Sequence, residues 1–157
     1  MYRNLFILLA LSLGLISCSK DDRFRQKLNG VYEVQEYKQE YFLEGELNDT
    51  KVIADFGSIG LYDNGITPYN SISDNLDTLP ESWANNGVGV QGLSVGWYSD
   101  EVNGETLNFF SEKDNGETFF MTFTIDEGSG KKAEWIYVEI YPSGKLKYRE
   151  TWKVKKL

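Results

Sequence analysis

EWIYVEIYPSGKLKYRETWKVK, residues 134–155, decides the fold. After the turn signal Pro142-Ser143-Gly144, Leu146, Tyr148, Trp152 and Val154 alternate with Lys145, Lys147, Arg149, Lys153 and Lys155. One face is apolar and the other is a row of cations, the pattern of a half-buried strand. Glu150 interrupts the apolar face. Before the turn, Ile136, Val138 and Ile140 share one side, and Trp135, Tyr137 and Tyr141 the other. Counting outward from the turn in an antiparallel pair sets residue 139 roughly opposite residue 148, with Glu139 and Glu150 near diagonal neighbours.

The same period of two runs outward from this hairpin. Phe119, Met121, Phe123 and Ile125 form one face, opposite Thr118, Phe120, Thr122 and Thr124. Further turn signals are Asp63-Asn64-Gly65, Val102-Asn103-Gly104, Asp114-Asn115-Gly116 and Gly128-Ser129-Gly130. Asn-Gly supplies the positive φ angles that tight hairpins need. The spacing predicts five strands near 93–99, 105–111, 117–126, 133–142 and 145–156. Two more are expected at 30–43 and 51–62, with Gly57 and Gly60 marking a bend or bulge. An eighth, Gly-rich strand is an option near 87–92. Seven or eight sequential antiparallel strands predict an all-β, up-and-down meander closing into a barrel, which removes the unpaired edges.

Residues 63–86 are the exception. They hold Asn64, Asn70, Asn75, Asn85, Asn86, Pro68 and Pro80, with little periodicity. Connections this long are usually functional or disordered. Thr78 to Trp83 has the residues to open a short helical turn, with Pro80 in its first turn. The segment reads either as a surface loop pinned by Trp83 or as a lid over a barrel mouth.

The N-terminus speaks to address. Arg3 precedes an apolar run from Leu5 to Ile16, shorter than the roughly 20 residues a spanning helix needs. Leu15-Ile16-Ser17-Cys18 resembles a bacterial lipoprotein cleavage site. Ser19-Lys20-Asp21-Asp22 is similar to the acidic export tag of surface lipoproteins in Bacteroidota. Cys18 is the one cysteine of the chain, so no intrachain disulfide exists, and acylation would consume it. The expected layout is a signal peptide over 1–17, a lipidated (palmitate-type) cysteine with a charged tether over 18–27, and a barrel over 28–157. Cleavage removes 17 of 157 residues and one of 16 basic groups, leaving 15 against 24 acidic groups. Such an acidic balance disfavours nucleic acid, and predicts a domain that stands off anionic headgroups.

The barrel opens on Leu28-Asn29-Gly30-Val31-Tyr32 and closes on Tyr148-Arg149-Glu150-Thr151-Trp152-Lys153-Val154, with a Trp97-containing strand between. This resembles the lipocalin-like lipoproteins of Bacteroidota, within the calycin group, over about residues 28–157. Gly30-x-Tyr32 stands where lipocalins start their first strand with Gly-x-Trp. Arg149 is the nearest counterpart of the Arg that packs over that Trp. The resemblance implies a barrel able to take a small apolar ligand.

The chain has no histidine, which removes Ser-His and Cys-His pairs and histidine-bound zinc. No phosphate or calcium loop is present. Acid neighbours such as Asp21-Asp22 and Asp74/Asp77 are expected to be a solvated face, so no metal or cofactor is expected. Glu139 and Glu150 are the one paired-carboxylate arrangement left. Their expected role is structural and no catalytic residue is assigned. Trp135, Tyr137 and Tyr141 make residues 134–141 apolar on both faces. They are either covered by residues 63–86, or line a cavity, or form an exposed platform.

The leading expectation is a lipid-anchored outer-membrane protein, exposed at the cell surface, that binds a small apolar or amphipathic ligand without catalysis. The candidate ligand-binding residues are Trp97, Trp135, Tyr137 and Tyr141, and Cys18 is the lipid attachment. The alternative is a surface module that binds glycan or protein through an exposed aromatic face.

Overall fold

The computed structural model describes residues 20–63, 70–85, 96–100, 106–112, 118–127 and 131–157. Cys18, the Gly-rich stretch 87–92 and the turns at 103–104, 114–116 and 128–130 lie outside them. Eight antiparallel strands follow one another in chain order and close into a barrel. They are β1 (Gly30–Leu43), β2 (Glu46–Tyr62), β3 (Asn70–Leu76), β4 (Gly96–Asp100), β5 (Thr106–Glu112), β6 (Thr118–Glu127), β7 (Lys132–Ile140) and β8 (Leu146–Lys156). Two helices accompany them, α1 (Lys20–Leu28) and α2 (Glu81–Asn85).

The alternation in β7 and β8 places these strands as expected, with Glu139 opposite Tyr148 and Tyr137 opposite Glu150. The cationic row of β8 lies outside and meets an acidic row on β1. Arg149 bonds Glu40 at 2.7 Å, Lys153 bonds Glu36 at 2.7 Å, and Lys155 reaches Glu33 at 3.9 Å. Each pair sits directly across the closing β1–β8 seam. The Arg149 guanidinium holds the Glu40 carboxyl below its ordinary range. Cross-strand pairs of this kind set register more than they add stability.

The bend expected at Gly57 is present. Val34 pairs with Gly57 but Glu36 pairs with Ala54, so Asp55 and Phe56 bulge against Gln35. Asp55 has φ 52° and Gly57 φ 120°. A Cβ on Gly57 would run into the carbonyl oxygen of Asn75, so β2 and β3 approach there as only glycine allows.

Residues 63–86 are not one loop. Within them lies β3, which pairs with β2 from Gly57↔Leu76 to Tyr62↔Ser71. Its composition (NSISDNL) lacks apolar alternation, because only Ile72 and Leu76 pack against the core. The helical turn expected near Pro80 is α2, with Trp83 N and Ala84 N donating to the Pro80 carbonyl.

Residues 20–27, expected as part of a charged tether, belong to α1, which lies against the barrel. Phe24 and Leu28 are four residues apart, so both point inward and are buried. Arg25 pairs with Asp63 at 3.2 Å, and the Tyr32 hydroxyl donates to the Leu28 carbonyl at 2.8 Å.

The interior is filled by rings. Trp83, Trp97, Trp135, Trp152, Tyr37, Phe56, Phe109 and Phe123 are all buried. Trp152 is the hub, with ring centroids 5.6 Å from Phe123, 5.9 Å from Trp83, 6.0 Å from Tyr37 and 6.1 Å from Trp135. An eight-stranded barrel has an interior just wide enough for side chains or one small ligand, and among the described residues these rings meet at its centre. β7 turns its aromatic face inward and leaves Val138 and Ile140 exposed. The cation near the Tyr32 ring is Lys156, 5.7 Å from its centroid. Arg149 instead lies outside, over Phe42.

Candidate functional site

The β1–β2 and β7–β8 hairpins rise at the barrel end opposite α1, and α2 sits between the walls there. They enclose a cleft of about 340 Å³. Tyr41, Phe42 and Leu43 come from the end of β1, Glu139 from the end of β7 and Tyr141 from just after it, and Glu81 and Asn85 from α2. Asn48, Lys147 and Tyr148 complete the lining. Apolar rims and polar groups thus converge in one small space, as ligand sites require.

Beneath the cleft lies a buried carboxylate. Glu150 is 0 % exposed, on a face otherwise apolar. Its Oε2 accepts from the hydroxyls of Tyr148 (2.7 Å) and Tyr37 (2.8 Å) and from the Ser82 N–H (3.1 Å). Its Oε1 accepts from the Ser82 hydroxyl (2.7 Å) and the Trp152 indole N–H (2.7 Å). An ionised carboxylate accepts at about four lone-pair sites, so these donors saturate it. The donors come from β1, α2 and β8, and Glu150 therefore ties α2 to the closing seam.

A second layer links this core to the cleft. The Gln39 amide nitrogen lies 2.9 Å from Glu81 Oε2, 3.0 Å from Tyr37 Oη and 3.2 Å from Tyr148 Oη. Tyr41 donates to the same Glu81 oxygen, and the Glu81 N–H donates to Tyr37 Oη at 2.9 Å. The Gln39 carbonyl oxygen is buried and has no hydrogen-bond partner among the described residues.

This layer sets a pH response. Burial first, and then the Glu150 carboxylate, push the Tyr37 and Tyr148 phenols well above their ordinary value of 10.0. Burial and the hydrogen bond to Glu81 raise Tyr41 in the same direction. The native state keeps these protons while the unfolded chain releases them near pH 10. Stability is therefore full below pH 10 and falls as pH rises further, by at most about 1.4 kcal/mol per pH unit for each buried tyrosine. The urea midpoint should be level from pH 7 to 9 and drop above 10, and Tyr148→Phe should reduce the slope. A level midpoint up to pH 11.5 would contradict the network.

The expected ligand residues separate. Tyr141 lines the cleft, its hydroxyl donating to the Phe42 carbonyl at 3.2 Å. Tyr137 is half-buried below it, between Phe123 and Tyr148. Trp97 and Trp135 are core residues with 0 % exposure, and Trp135 lines a different cleft, beside α1. Of the two expected carboxylates, Glu139 reaches the cleft, ion-paired to Lys147 at 2.8 Å. Glu150 is sealed beneath it and reaches no ligand. The carboxylate that joins Glu139 in the cleft is Glu81.

Gln39, Tyr41, Glu81, Ser82 and Asn85 escaped the sequence reading. The visible signal was Glu150 itself, an acid within the apolar face of β8, whose burial demands donors from elsewhere. Among the described residues, no group of three acid, cysteine or histidine side chains is placed to hold a metal ion. Comparison with family models, with curated proteins and with solved structures found no match.

Proposed function

We propose that the chain is a lipid-anchored envelope lipoprotein of the outer membrane whose barrel binds a small amphipathic ligand, without catalysis, at its mouth. One observation carries the ligand reading. The interior is packed with rings, while the mouth offers a cleft of about 340 Å³ with Phe42, Leu43 and Tyr141 beside Glu81, Glu139 and Asn85. The short apolar part of a ligand would lie on Phe42 and Leu43. Its polar head would meet the carboxylates and amides. Two carboxylates against Lys147 favour a neutral or cationic head over an anionic one. The signal-like segment and Cys18 support the anchor, with the Ser19–Asp22 tag favouring the cell surface.

A second reading uses the same cleft. Tyr41, Tyr141 and Tyr148 lie with Asn48, Asn85 and Glu81, a set suited to stacking on a sugar ring and bonding its hydroxyls. Titration of the mature chain, from residue 18 with Cys18→Ser, separates the two readings through its tryptophan fluorescence. Short alkyl amines and alkyl glycosides are tried against unsubstituted oligosaccharides. The first reading expects saturable binding that needs the alkyl chain and weakens about tenfold or more in Phe42→Ala. Binding of oligosaccharides alone selects the glycan reading. Binding that Phe42→Ala and Tyr141→Ala both leave unchanged removes the cleft from consideration. Palmitate labelling of the wild type, lost in Cys18→Ala, tests the anchor.

A further inference from the structure

The floor of the mouth cleft holds acids without a counter-charge. Glu81 and Glu150 are joined by one layer of donors. Gln39 Nε2 lies 2.9 Å from Glu81 Oε2 and 3.0 and 3.2 Å from the Tyr37 and Tyr148 oxygens, and both phenols donate to Glu150 Oε2. Among the described residues, neither carboxylate has a cation partner. The cations at this end are taken up by other acids: Lys147 by Glu139 at 2.8 Å, Arg149 and Lys38 by Glu40 at 2.7 and 2.8 Å, and Lys145 by Glu44 at 3.9 Å. Lys51 stands across from Gln39 on β2 and is exposed to solvent. Charges withdrawn from water are ordinarily paired, so this floor carries an excess of negative charge. The Tyr41 hydroxyl senses the same field. After burial and its bond to Glu81, the Glu81, Asp49 and Glu150 carboxylates push its phenol up.

Two acceptors in this layer also lack a donor. Glu81 Oε2 takes both Tyr41 and Gln39, while Glu81 Oε1 has no hydrogen-bond partner among the described residues. Gln39 Oε1 is buried and likewise has none. Gln39 is 2 % exposed. The oxygen and nitrogen of an amide are about 2.2 Å apart, so this oxygen lies within about 5 Å of the Glu81 carboxylate. A negative floor with unfilled acceptors calls for a cation that carries N–H groups. Tyr41 and Tyr148, with ring centroids 5.2 Å apart, add aromatic faces that favour a cation.

We propose that the head of the ligand bound at the mouth is a primary ammonium, seated on Glu81 with its N–H groups directed to Glu81 Oε1 and the Gln39 oxygen. It supplies the counter-charge that the Glu81–Glu150 layer lacks. The inference rests on the reading of the mouth as a ligand cleft. Lys147 is neutralised within the cleft by Glu139 and does not cancel Glu81. A carboxylate or phosphate head is repelled by this floor. A hydroxyl head fills the acceptors but leaves the charge. A trimethylammonium head balances the charge but has no N–H for the acceptors. Charge-assisted hydrogen bonds are about twice as strong as neutral ones, so the primary ammonium is selected over both.

The test titrates the mature chain with Cys18→Ser by tryptophan fluorescence, at neutral pH and low salt. The ligands share one alkyl chain: hexylamine, hexyltrimethylammonium, hexanol and hexyl glucoside. Hexylamine should bind at least about tenfold tighter than the other three. Glu81→Gln keeps an acceptor for Tyr41. It should weaken hexylamine about tenfold or more and shift hexanol by less than about twofold. Lys147→Met alters a half-exposed side chain, frees Glu139 and should strengthen hexylamine by about threefold. Equal affinity for hexylamine and hexanol, tighter binding of hexyltrimethylammonium, or indifference of hexylamine to Glu81→Gln overturns the inference and leaves the cleft reading in place. Saturation by calcium chloride that hexylamine cannot displace also overturns it and marks an inorganic cation site instead. Absence of binding by all of these ligands removes the cleft reading and the inference with it.

Discussion

Glu150→Ala is expected to cost about 4 kcal/mol or more of folding stability, enough to leave many domains of this size partly unfolded. The substitution removes the acceptor for Tyr37, Tyr148, Trp152 and both donors of Ser82, all inside the barrel. Each orphaned buried donor costs about 1–3 kcal/mol, less whatever the tyrosines recover by turning toward the free Gln39 oxygen. Glu150→Gln should fall between, at about 2 kcal/mol, because it keeps one acceptor oxygen and turns an amide N–H₂ toward donors. Urea unfolding followed by tryptophan fluorescence gives both numbers. A loss under 1 kcal/mol for the alanine variant would mean that the carboxylate does not organise this end of the barrel.

Trp83→Ala should cost about 3–5 kcal/mol, the usual range for removing a buried large aromatic. The indole lies 5.5 Å from Phe109 and 5.9 Å from Trp152, and it is the main apolar contribution of α2 to the core. A five-residue helix has no stability of its own, so its order depends on this side chain and on the Ser82 bonds to Glu150. Hydrogen exchange at the amides of Ser82, Trp83 and Ala84 should accelerate ahead of the strands. Ligand affinity at the mouth should fall with it, because Glu81 and Asn85 ride on the same helix. The losses from Trp83→Ala and Glu150→Ala should not add, since both release α2, and a double-mutant cycle reads that coupling. Exchange at α2 unchanged from wild type, with only a uniform loss of stability, would show that α2 is held by other contacts.

The hairpin 134–155 carried most of the fold in plain view. Its alternation and turn placed Glu139 opposite Tyr148, because pairing in a hairpin depends only on local sequence. β3 was hidden because Ser73, Asp74 and Asn75 face water and its sequence reads as Asn and Ser. α1 was hidden because Phe24 and Leu28 are its only buried apolar pair, too little to signal a helix without the barrel to receive them. Tyr141 and Glu139 line the cleft because they continue the alternation of β7 to the rim. Glu81 and Asn85 were missed because nothing local tells where a short Pro-led helix will dock.

The amino-acid sequence by itself determined the strands that alternate, the turn at Pro142-Ser143-Gly144, the absence of histidine chemistry and the charge of the whole chain. Only the tertiary structure decided which charges meet. Tyr37 and Glu150 are 113 residues apart, and Ser82 and Glu150 are 68 apart. The lysines that line the cleft beside α1 come from positions 27, 131, 132 and 156. These groups meet because β8 closes on β1, and closure is a long-range event that no local period encodes.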